Sequence, residues 1–303
     1  MTSNSNTPFA KHTMLSKLDL FWLSKNPSAI PLLEKVIGGD YNIIWFGLSS
    51  NPNAVKLLKR YPEKIDWCGL SWNPSPDAML LLEENIENQN ISWIGLSQNP
   101  NAVKLLKKYP EKIHWFYLSR NTSLYAMTML EENIDNPNIM IDWVQLSKNP
   151  SAIELLEKII ESHNHRQNIC WKSLSQNPNA IPLLKKYPDN IDWYGLSSNT
   201  SQDAMTLFEK YNVWCVPYLL YLSSNPSAIK YLEQNIDNRN ISWFGLSRNP
   251  SPDAMTLLEL YPEKIDWYSL SSNPSAVPLL KKYPNNINWN ELSKNLSILD
   301  IME

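Results

Sequence analysis

Residues 51–72, NPNAVKLLKRYPEKIDWCGLSW, span one copy of a unit that recurs along the chain. The tetrad Leu-Ser-x-Asn occurs twelve times in 303 residues, with its Asn at 26, 51, 73, 99, 121, 149, 177, 199, 225, 249, 273 and 295. Nine of these Asn precede Pro, and Thr122, Thr200 and Leu296 follow the others. Three residues before the Leu stands a Trp in ten copies, while Leu20 and Leu219 fill that place in the remaining two. The spacing runs from 22 to 28 residues. Self-similarity at this period marks units that cannot bury an apolar face alone and do so by stacking.

Each unit reads as two helices. In all twelve copies the second residue after Asn is Ser or Asn, the residue types whose side-chain oxygen caps orphan backbone N–H groups at a helix start. Pro76 and Pro252 then fall at the first helical position and Asp77 and Asp253 at the second, where both are favoured. The first helix, A, carries apolar residues at helical spacing, as in Ala54, Val55, Leu57 and Leu58. In five copies it stops at Tyr-Pro (Pro62, Pro110, Pro188, Pro262, Pro284), because Pro disfavours helix in the residue before it. The second helix, B, opens with a cap (Asp66, Ser92, Asp142, Asp192, Ser242, Asp266 or Asn288) and runs Trp-x-x-Leu-Ser. Ile44, His114 and Cys170 break the cap rule. B is short enough to be partly 3-10.

On B the Trp, Leu and Ser share one face, which is assigned to the core with each Trp largely buried. Five of the seven glycines lie two residues after the Trp, at 47, 69, 95, 195 and 245, which implies close backbone approach by the neighbouring unit. The recurrent Asn is read as a hydrogen-bonded ladder along the stack. Lys-rich A helices (Lys56, Lys59, Arg60; Lys104, Lys107, Lys108) alternate with acidic ones (Glu83, Glu84; Glu131, Glu132), so stacking pairs opposite charges. The fold expected is all-α: an α-solenoid superhelix of about twelve two-helix repeats. Residues 1–14 are expected to be loosely ordered. Residues 15–303 form one repeat domain, with Leu15–Leu23 and Leu292–Met302 capping its ends.

The motif Leu-Ser-x-Asn-Pro-x-Ala-(Ile/Val)-x-Leu-Leu, followed by Pro-x-x-Ile-x-Trp, resembles tandem repeats of giant DNA viruses of protists, over about residues 15–300. The resemblance implies a viral origin and a repeat architecture, with no assigned activity. The Asn-Pro junction and 24-residue period are also similar to leucine-rich variant repeats, which implies stacked α and 3-10 helices.

A net charge of −3 and a pI near 5.9 give no overall attraction for nucleic acid or an anionic membrane. The start, MTSNSNTPFAKHTMLSK, has no apolar signal region, and no run is long enough to span a membrane. An intracellular chain, in host cytoplasm or virion, is expected, with Cys68, Cys170 and Cys215 as reduced thiols. No phosphate loop, dinucleotide fingerprint, zinc-protease motif or nucleophile elbow is present. His163 and His165, with Cys170, are the one candidate ligand group and read as a solvated loop. No catalytic residue, metal or cofactor is therefore expected.

What varies from copy to copy is the pair of positions one and five residues after the Trp. They lie one turn apart on B, away from the core face, and mix aromatics with Arg, the residue types enriched at binding hot spots. Phe46, Trp72, Phe116, Arg120, Tyr194, Phe244, Arg248 and Tyr268 are accordingly the candidate protein-binding residues. The alternative for the aromatics is core between B helices. The function expected is a non-enzymatic scaffold that is monomeric and binds a protein partner. Self-assembly into a virion structure and single-stranded RNA binding are the alternatives, the acidic pI opposing the second.

Overall fold

The computed structural model describes residues 16–38, 42–211 and 216–302, and every regular element in them is helical. The segment 1–14, Leu15 and Cys215 lie outside the described residues. The fold is an α-solenoid of short paired helices. Its contacts gather into two compact units: Asp66–Ser242, and the residues up to Ile65 together with those from Trp243 onward.

Within Asp66–Ser242, residues 93–118 show how the sequence builds a repeat. Helix B, Trp93–Gln98, starts at Ser92, whose hydroxyl accepts from Gly95 N at 3.1 Å. It ends at Asn99, in extended conformation, and Pro100–Ala102 form a 3-10 turn. Helix A follows as Val103–Lys108 with Leu105 and Leu106 buried. Tyr109 (φ −130°, ψ 62°) breaks it, as the following Pro requires, and Pro110–Lys112 make a second 3-10 turn. Ile113, extended and buried, leads into the next B helix, Trp115–Leu118. The B helices are thus α-helical, and in this repeat the 3-10 geometry sits in the two Pro turns, one leading from B to A and the other from A to the next B.

The cap after Asn is a correction. Among the described residues only Ser75, Ser123, Ser201 and Ser251 cap their A helices through the side chain, accepting from Ala78, Ala126, Asp203 and Asp253 N respectively. Those copies hold two extra residues between the Asn and the buried Ala, which moves Ser to the helix start. Elsewhere the Asn itself caps the turn: Asn99 Oδ1 accepts from Asn101 N at 3.1 Å and Asn177 Oδ1 from Asn179 N at 3.1 Å. The Ser or Asn so released donates to the previous repeat, as in Asn179 Nδ2 to Pro150 O (3.1 Å) and Ser227 Oγ to Thr200 O (2.6 Å).

The Asn ladder is present, and its geometry explains why Asn persists where Pro is lost. Asn199 Nδ2 donates to Ser175 O and Asn177 O of the preceding repeat, both at 2.9 Å, while its Oδ1 accepts from Ser201 N. Asn121, Asn149, Asn177 and Asn225 repeat the pattern. One fully buried amide thereby pairs three backbone groups, which would otherwise be left unsatisfied at considerable cost. The Ser before it forms a second strand of the ladder: Ser97 Oγ donates to Trp93 O and accepts from His114 N of the next repeat.

Glycine permits the close stacking. A Cβ on Gly195 would run into Lys172 O, and one on Gly95 would lie 3.0 Å from Trp72 Nε1. Gly195→Ala should therefore force adjacent backbones apart and cost about 1–3 kcal/mol, read as a lower thermal midpoint. Charge alternation pairs neighbouring A helices: Lys104 with Glu83 (2.8 Å), Lys158 with Glu131 (2.6 Å), and Lys186 with Glu157 (2.8 Å) and Glu161 (2.5 Å). These carboxylates raise the Lys186 pKa, chiefly through their hydrogen bonds. The pairs are exposed and serve register more than stability.

The B-helix Trp residues are half-buried, not enclosed. Each sits at the first position of a helix of four to six residues, at the edge of the layer, and where a Tyr ends helix A the ring packs on it: Trp93 on Tyr109 (5.5 Å between ring centroids), Trp171 on Tyr187 (6.3 Å) and Trp193 on Tyr211 (5.7 Å). The fully buried core is instead Leu and Ala with the Ser and Asn of the tetrad.

In the other unit the chain's first and last repeats are neighbours. Asn26 Nδ2 donates to Ser293 O (3.0 Å) and Asn295 O (2.8 Å), and Asp19 N to Ser293 Oγ (2.8 Å). These are the bonds that join consecutive repeats elsewhere in the unit, such as Asn51 to Ser24 O and Asn26 O. Helix Ile298–Met302 packs on the turn Pro27–Ala29. The terminal segments expected to cap two separate ends therefore stack on each other, because each carries the full tetrad and so both halves of the ladder.

Candidate functional site

The B helices lie side by side within each unit, as Trp143–Lys148 does with Trp171–Gln176 and the latter with Trp193–Ser197. Their Leu-Ser face points inward. Within each unit the positions one and five residues after the Trp therefore form a row on the opposite, solvent side. Among the residues singled out by sequence, Trp72, Tyr194, Phe244 and Tyr268 are exposed, at 36–50% of their surface, and Arg120 and Arg248 are exposed as well. Phe46 and Phe116 are half-buried. The aromatics are not core between B helices.

The eight residues fall into two groups. In Asp66–Ser242, Trp72, a Trp outside the framework position, lies over Gly95 of the next repeat and is partly a packing residue. Phe116 meets Tyr117 edge-on (5.5 Å), and the Arg120 guanidinium lies over Tyr117 (5.3 Å) and 3.5 Å from the Asp142 carboxylate. Tyr194 contacts Tyr218 and Tyr221. In the other unit Arg248 lies over Phe244 at 4.6 Å, and Lys25 lies over Phe46 at 5.3 Å. Tyr268 hydrogen-bonds the Glu291 carboxylate, which raises its pKa.

Sequence reasoning missed Phe21 and Trp22, 36% and 39% exposed, and Leu220 and Tyr221, 55% and 43%. These belong to the copies that begin with Leu20 and Leu219 in place of Trp. Counting back from Leu-Ser-x-Asn places Phe21 and Leu220 on the same row. The row also carries a charge bias. Its 24 positions hold six cations (Lys25, Arg120, Lys148, Lys172, Arg248, Lys294) and no Asp or Glu, in a chain with 27 Lys and Arg against 30 Asp and Glu.

The His loop is a partial correction. His163 is exposed, but His165 stacks on Trp143 (5.9 Å, 24°) where other repeats place Tyr, and its Nε2 lies 2.8 Å from Asp135 Oδ1. Both take left-handed backbone angles, φ 61° and 59°. His165 is thus a framework residue of a lengthened copy. Among the described residues no three His, Cys, Asp or Glu converge as a metal site, and no helix is long and apolar enough to cross a membrane. A hollow of about 440 Å³ opens beside the row, lined by Ile113, His114, Trp115, Phe116 and Met140. No family model, curated protein or solved structure matches the chain.

Proposed function

We propose that the chain is a non-catalytic scaffold that binds a protein partner on its row of B helices. The observation that carries this reading is the row itself: exposed aromatics and cations at the positions that vary, set on helices whose recurring residues are all used by the fold. Rigid aromatics with Arg supply binding energy at low entropic cost. The A helices are a weaker candidate, because their charges pair with one another between repeats. The test is selection of a displayed peptide library on the full chain, followed by rebinding to Phe116→Ala/Arg120→Ala. Selected peptides should bind this variant at least about tenfold more weakly, the size of a hot-spot loss, with the melting midpoint moved by only a few degrees. Equal binding to wild type and variant would remove the row as the binding face.

A further inference from the structure

Resting on that reading, we infer that the partner segment is acidic, extended and carries an apolar anchor, and that it crosses the B helices that begin at Trp115, Trp143 and Trp171. These three consecutive repeats place Arg120, Lys148 and Lys172 on the exposed row. Arg120 is already held by Asp142, but Lys148 and Lys172 make no ion pair, hydrogen bond or ring contact among the described residues. On the A layer, by contrast, neighbouring acids engage Lys104, Lys158, Lys185 and Lys186. Unpaired cations on one face of a net acidic protein, in a row whose own positions hold no Asp or Glu, are complementary to carboxylates. The hollow beside Phe116 and the 70%-exposed Met140 is lined almost wholly by apolar and aromatic side chains and accepts one apolar side chain of the same segment.

Geometry sets the spacing. Packed helices lie about 8–10 Å apart, and an extended chain advances about 3.3 Å per residue. Successive cations are therefore met by acids about three residues apart in the partner. A nucleic-acid strand is less well served, because a phosphate recurs with every nucleotide whereas this row offers about one cation per repeat.

The experiment is fluorescence anisotropy of the full chain with a labelled synthetic peptide: one Leu followed by three Glu at every third position in a Gly/Ser background. A second peptide carries Gln for each Glu, and a short oligouridylate is the third probe. The acidic peptide is expected to bind at least about tenfold more tightly than its Gln counterpart. Lys148→Glu/Lys172→Glu, which alters two exposed side chains outside the core, should abolish the difference while leaving the helical circular dichroism unchanged. Equal binding of both peptides, no binding of either, or tighter binding of oligouridylate would overturn the acidic partner. The row as a binding face falls separately: it stands if library peptides depend on Phe116 and Arg120 whatever their charge, and fails if none do.

Discussion

Asn177→Ala is expected to destabilise its unit by about 3–5 kcal/mol, since an unsatisfied buried backbone group costs roughly 1–3 kcal/mol and this change orphans several. The amide of Asn177 donates to Ser147 O and Asn149 O and accepts from Asn179 N, and it is 1% exposed. Chemical denaturation of the full chain measures the loss. Amide exchange across residues 147–199 should rise with it. Asn177→Asp separates the two roles of the side chain. The carboxylate keeps the acceptor but turns an ionised oxygen toward two carbonyls. The folded state then favours the protonated acid, so its pKa lies above the unfolded value. This variant should gain stability as pH falls through that raised pKa and lose it as pH rises, a dependence that wild type lacks at this position.

Ile298→Ala with Ile301→Ala is expected to cost about 4–10 kcal/mol, each Ile-to-Ala change in a core costing roughly 2–5 kcal/mol. Both side chains are buried, at 0% and 2% exposure. The effect should appear at the opposite end of the sequence. Helix Ile298–Met302 packs on Pro27–Ala29, and Asn26 bonds Ser293 across 267 positions. Amides of Leu20–Lys25 and Ile30–Val36 should therefore exchange faster in the double variant. Faster exchange confined to the last repeat would mean that the two terminal repeats do not support one another.

Much of this fold is legible in the sequence, because a repeat states each structural requirement many times. The Asn ladder, the B-helix caps, the glycine contacts and the charge pairing of A helices all follow from residue chemistry at recurring positions. What escapes is how side chains share tasks between repeats. Ser28 and Ser75 look alike in sequence, yet only a two-residue insertion lets the second reach a helix start. Tyr109 reads as a stop signal before Pro110, and its ring contact with Trp93 depends on how far the chain turns there. The contact of first and last repeats escapes for another reason: nothing local distinguishes a tetrad that meets its sequence neighbour from one that meets the far end. On the candidate surface, Trp72 and Tyr194 are legible as variable positions. Phe21 and Trp22 are obscured by the Leu20 that replaces Trp, and the absence of acids emerges only when all copies are aligned on one face.

The most direct test of the binding face is hydrogen exchange of the full chain with and without a peptide selected from the library. Protection is expected in the B helices, above all Trp115–Leu118, Trp143–Lys148 and Trp171–Gln176, with helices Val103–Lys108 and Ile153–Ser162 of the A layer unchanged. Protection of the A helices with the B helices unaffected would contradict it.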